Sequence, residues 1–131
     1  FLVTDSFGQN QKVSDLAKNK FALQNLEMGI KSENKGVRES AIYFAGQYRF
    51  IDTENALIKQ LKVEKDADIR VLIGLALFRM NSEIGMNELQ KLASKDENPR
   101  VRRMSSAIYS EYLVNNSNRT ADVQKWIVVA K

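Results

Sequence analysis

Three arginines recur at a fixed step in this 131-residue chain: Arg38, Arg70 and Arg102, each directly behind a branched apolar residue, Val37, Ile69 or Val101. Guanidinium groups repeated in this way could hold an anionic ligand through paired, charge-assisted hydrogen bonds. The same groups could instead bridge to acids and amides of neighbouring turns, and Asp66, Asp68, Asp96 and Asn98 are at hand for that. The structural reading is the one adopted here. Arg100 and Arg103 add charge beside the third arginine and keep a small anion site as the second reading.

Other chemistry is narrowed by what is missing. The chain has no cysteine and no histidine, which removes disulfides, thiol nucleophiles, imidazole bases and nearly every zinc or iron site. Carboxylates, lysines and tyrosines remain, but no arrangement of them forms a recognisable catalytic motif. The expectation is a protein that is not an enzyme and has no cofactor, no metal site and no catalytic residue. Its 20 Lys and Arg against 16 Asp and Glu leave a net charge of +4, a mild bias toward acidic partners. The lysines are scattered from Lys12 to Lys131 and not gathered in a stripe, so a nucleic-acid partner is not expected.

The elements that must position these residues are legible in the same spacing. Val37, Ile69 and Val101 are separated by a step of 32 residues. From each of them an apolar stripe follows at helical intervals: Ala41, Phe44, Ala45 and Tyr48; Ile73, Ala76, Leu77 and Met80; then Ser105, Ile108, Tyr109 and Tyr112. Ser105 is the weak point of the pattern. Three residues ahead of each branched residue stand Asn34, Asp66 and Asn98, whose side-chain oxygens suit the exposed amides of a first helical turn. Pro99 fits the first helical position, where a missing N–H costs nothing.

A second helical segment precedes each of these. Ser14 is expected to cap one reaching about Lys31, Thr53 one to about Glu64, and Ser82 one to about Ser94. The unit is a helical hairpin, and a single hairpin cannot bury both its faces, so units must stack. The expected architecture is all-α: a short α-solenoid, an alpha-alpha superhelix of about three hairpins spanning roughly 14–50, 52–81 and 82–114. Residues 1–13 form an N-terminal lead. A separate C-terminal capping helix is expected at about 120–130, with Thr120 as its cap and Trp126 packing over the exposed end of the stack.

The stretches "LIKQLKVEKDADIRVLIGLAL" and "LQKLASKDENPRVRRMSSAI", and more loosely "LEMGIKSENKGVRESAIYFA", resemble HEAT repeats in the short bacterial style shared with the phycobilisome-lyase-like HEAT family. The resemblance covers about residues 14–114. It implies an armadillo-like stack whose arginines are structural and whose second helices line a concave face used for protein binding. The histidine-based metal pairs of HEAT-type hydroxylases have no counterpart here, and no bilin-lyase motif is matched. Gly74 departs from the pattern by standing within a second helix, where glycine costs about 1 kcal/mol against alanine.

On that concave face Tyr43, Val71, Leu75 and Phe78 form a candidate apolar groove, with Gln47, Arg79, Arg103 and Glu111 around it. A protein or peptide partner, laid in as an extended or helical segment, is the expected ligand. The competing explanation of the apolar middle helix is that its neighbours enclose it on all sides. Two alternatives stand beside the scaffold reading: a nucleic-acid-binding stack similar to the HEAT-like alkylpurine DNA glycosylases, and a homo-oligomeric structural protein. Monomer and homo-oligomer are equally compatible with the sequence. The longest apolar run, Val71 to Phe78, is far below the roughly 20 residues of a membrane span. The polar, glycine-containing opening "FLVTDSFGQNQ" points to a periplasmic or secreted protein after removal of a signal peptide, with the cytoplasm as the alternative.

Overall fold

The computed structural model describes residues 19–129, with side chains through Arg119 and at Gln124. Among them are helices α1 (Lys20–Ile30), α2 (Lys35–Gln47), α3 (Glu54–Val63), α4 (Ala67–Arg79), α5 (Glu83–Lys95) and α6 (Pro99–Val129), a 3-10 turn at Ile51–Thr53, and no strand. The protein is all-α over these residues.

The helices begin where a side-chain oxygen meets the free amides of a first turn. Asn34 Oδ1 accepts from the Val37 amide at 3.1 Å, Asp66 Oδ1 from Ile69 at 3.1 Å, and Asn98 Oδ1 from Arg100 and Val101 at 2.9 and 3.2 Å. Ser82 Oγ accepts from Gly85 at 2.8 Å. The expected caps of the other two helices differ. Asn19 caps α1, accepting from Phe21 and Ala22, while Ser14 and the lead lie outside the described residues. Thr53 precedes α3 but caps no amide; its hydroxyl donates to the Phe50 carbonyl at 2.6 Å. The 3-10 turn leaves Thr53 at φ −89°, ψ 0°, not in the extended conformation that aims a cap oxygen at the following amides.

Helix ends repeat as well. Arg49 and Asn81 take left-handed conformations with φ of 52° and 54°, and the next amides, Phe50 and Ser82, reach back to Ala45 and Leu77 at 3.0 Å, closing α2 and α4. One repeat step beyond Asn81 stands Leu113, and there α6 continues without a break to Val129. The separate capping helix from Thr120 is therefore not formed: leucine favours the helix over a left-handed turn, and "NNSNRT" contains no glycine or proline to stop it. The Trp126 side chain lies outside the described residues.

Packing follows the hairpins. Helices α1, α3 and α5 contact one another in order; α4 packs on both α2 and α6, and also on α3 and α5. With four neighbours, α4 is buried over much of its circumference, at Ile69, Arg70, Val71, Ile73, Gly74, Ala76 and Leu77. The core centres on Ile42, Leu57, Ile69, Ile73, Leu77, Met86, Leu89 and Val101, none more than 1% exposed. Ser105 is buried among them at 3%.

In the first unit the inward stripe is turned from its expected position. Val37 and Tyr48 are 48% and 47% exposed, whereas Ile42 is fully buried and Gly46 is enclosed. The reason is the close approach of α2 to α4: a Cβ on Gly46 would lie 2.8 Å from the Ala76 Cα, so the glycine face is the one that meets the neighbour.

Candidate functional site

The ladder arginines each meet backbone carbonyls of their own turn. Arg38 Nη1 donates to the Ser32 carbonyl at 2.8 Å, Arg70 Nη1 to Glu64 and Lys65 at 3.1 and 2.9 Å, and Arg102 Nη1 to Asp96 and Glu97 at 2.7 and 3.2 Å. Two of them also grip a carboxylate of the next unit. Arg38 donates from Nε and Nη2 to the Glu64 oxygens at 2.7 and 3.1 Å. Arg70 donates from Nη2 to Asp96 Oδ1 at 3.0 Å, with its Nε 3.0 Å from Oδ2 but not aligned to donate.

Positions 32, 64 and 96 thus share one role in three turns. Besides offering a backbone carbonyl, each accepts from the cap residue's amide: Asn34 onto Ser32 Oγ at 3.1 Å, Asp66 onto Glu64 Oε2 at 3.1 Å, Asn98 onto Asp96 Oδ1 at 2.9 Å. Burial pushes the Glu64 carboxyl up, but the Arg38 guanidinium, the Gln60 amide and the Asp66 amide together outweigh it and hold the group below the usual carboxylate value. Sequence reading passed over Glu64, although it lies on the step of 32 residues from Asp96. Two acids expected at the ladder serve elsewhere: Asp66 pairs with Lys35 at 2.8 Å, which lowers its pKa, and Asp68 pairs with Arg100.

The second helices present a common outward face. Tyr43, Leu75 and Ala107 form one row of exposed residues at repeat spacing, and Gln47, Arg79 and Glu111 form another. Arg79 Nη1 donates to Gln47 Oε1 at 2.7 Å across the gap between α2 and α4. Beneath them runs a shallow groove of about 80 Å³ floored by Ile42, Gly46, Leu72 and Ala76.

Not every candidate residue belongs there. Tyr43 is 57% and Leu75 37% exposed, but Val71 is 7% exposed and Phe78 packs against the core. Both turn inward because α4 is enclosed by helices on either side, so the apolar patch is smaller than the sequence suggested. Arg103 is exposed on the first turns of α6.

A larger apolar hollow of about 350 Å³, which sequence reading missed, lies between α1, α2 and the 3-10 turn, lined by Ala22, Leu23, Asn25, Leu26, Phe44, Phe50 and Asp52. Phe44 stacks obliquely on Tyr48 and Phe50, with ring centroids 4.7 and 5.5 Å apart. The left-handed turn at Arg49 brings Phe50 back against Phe44 of α2. Among the described residues no group of three or more acids could hold a metal ion, and no helix is long and apolar enough to cross a membrane. Compared with known proteins, the chain matches no family model, no curated protein and no solved structure.

Proposed function

We propose that the protein is a short α-solenoid of HEAT-like hairpins, and that it is a non-enzymatic binding module that takes a peptide or helical segment of another protein on the face formed by α2, α4 and α6. The observation that carries this reading is the row Tyr43, Leu75 and Ala107. These exposed residues share one repeat position on three helices that pack in sequence. Residues at one repeat position of stacked hairpins share a continuous surface, the arrangement that solenoids use for extended ligands. The rim row of Gln47, Arg79 and Glu111 is polar and mixed in charge. Glu39 and Glu111 alternate with Arg79 and Arg103 on this face, which suits a peptide better than a uniformly anionic nucleic acid. The non-enzymatic part of the reading rests on the absence of histidine and cysteine from the sequence.

Charge placed on the row tests it. Tyr43→Glu and Leu75→Glu are expected to keep the wild-type circular dichroism and an unfolding free energy within about 0.5 kcal/mol of wild type, the range for exposed positions, while losing at least ten-fold in affinity for any partner recovered with the wild-type protein. Val71→Glu, which buries a charge, is expected to unfold the chain and serves as the contrast. A folded Leu75→Glu protein that binds the same partner as tightly as wild type would remove the face from the binding site.

A further inference from the structure

The arginine ladder has one rung whose carboxylate side is open. Arg38 and Arg70 each use Nη1 for carbonyls of their own turn and turn another nitrogen to a carboxylate 26 residues on, Arg38 both Nε and Nη2 to Glu64 and Arg70 its Nη2 to Asp96. Arg102 makes the same carbonyl contacts, to Asp96 and Glu97, which hold its planar group in the orientation of the other two. Its Nε and Nη2 meet no carboxylate among the described residues, and position 128, the same 26-residue step on, is a valine within α6. Arg102 is a half-buried residue, and two hydrogen bonds from Nη1 preset its guanidinium beside the α5–α6 turn.

We propose that Arg102 is an open carboxylate socket, which docks an acidic side chain standing two residues ahead of a helix cap in a segment of a partner protein. The chemistry is taken from the two filled copies: there the acid that takes the guanidinium, Glu64 or Asp96, also accepts the amide of the Asp66 or Asn98 cap, so the fitting motif is Asp or Glu, any residue, then Asn or Asp. The occupant is not a second copy of this chain stacked head to tail, because the first unit carries Ser32 where the later units carry acids, and a hydroxyl offers no charge. The surroundings agree with a contact that depends on charge: the exposed residues over 99–110 of α6 are Pro99, Arg100, Arg103, Ser106, Ala107 and Ser110, small or polar side chains that give little apolar area and therefore marked sensitivity to salt. This inference is independent of the α2–α4–α6 face and survives if that face binds nothing.

The test follows the arginine Nε–Hε resonances of the full-length protein by NMR while adding a peptide that copies residues 88–101 of this chain, and the same peptide with Asp96→Asn. Arg102 is expected to shift saturably with the acidic peptide, at least ten-fold more weakly with the amide peptide, and not at all in 0.5 M salt (about three times physiological ionic strength, where screening collapses such pairs); Arg38 and Arg70, already occupied, stay in place. No shift of Arg102, or equal shifts with both peptides, overturns the proposal. So does saturation by acetate at the same concentration as the peptide, which would mean a socket for small free carboxylates. An Arg102 shift that appears with protein concentration alone also overturns it, by making a second copy the occupant.

Discussion

Arg70 and Asp96, separated by most of a hairpin in the chain, meet with Nη2 3.0 Å from Oδ1 and with side chains only 8% and 6% exposed. The pair ties the turn before α4 to the turn before α6, and Arg38 with Glu64 makes the same tie one unit earlier. Repetition of this contact holds the hairpins in register: the turns before α4 and α6 are each fastened both to their own helix and to the preceding unit.

A buried pair of this kind is costly to break from one side, because the remaining charge is left without a partner. Asp96→Ala is expected to lower unfolding free energy by about 3–5 kcal/mol, measured by urea titration. Asp68→Ala, which removes the exposed Arg100 pair, is expected to change it by less than about 1 kcal/mol. Similar losses for the two variants would show that the Arg70 tie is not a structural fastener.

Gly46 and Gly74, both within second helices, differ in what they face. A Cβ on Gly46 would meet the Ala76 backbone at 2.8 Å, and one on Gly74 the methyl groups of Leu89 at 3.2 Å. Backbone cannot move aside locally, but a leucine tip can. Gly46→Ala is thus expected to cost about 1–3 kcal/mol through overpacking, whereas Gly74→Ala recovers about as much helix propensity, up to about 1 kcal/mol, as it loses in contact. Thermal unfolding of the two variants separates them; equal midpoints would contradict the close approach of α2 to α4.

Acid should loosen the first tie. Glu64 is held below its ordinary value of 4.5 in the folded protein, so its stabilising contribution is complete above that pH and is lost as the pH falls through the lowered folded value. Wild-type stability is expected to decline below pH 4.5 more steeply than that of Glu64→Gln, in which this titration is absent. Parallel pH profiles from 7 to 3, spanning the ordinary carboxylate range, would show that Glu64 does not carry the effect.

Much of this was written in the residues themselves. The step of 32, the caps at Asn34, Asp66, Asn98 and Ser82, and the buried stripe from Ile69 to Met80 are local properties, because an N-cap acts within one turn and an apolar stripe follows from helical geometry alone. What lay beyond local reading depended on neighbours. Whether Val71 and Phe78 face solvent or core was decided by the helices flanking α4, which no window along the chain contains. Glu64 became a ladder partner only when stacking brought it to Arg38, and the inward face of α2 was chosen by the fit of Gly46 against Ala76. Periodicity specifies which residues share a face; only packing decides which face is covered, because burial is a property of pairs of elements and not of one.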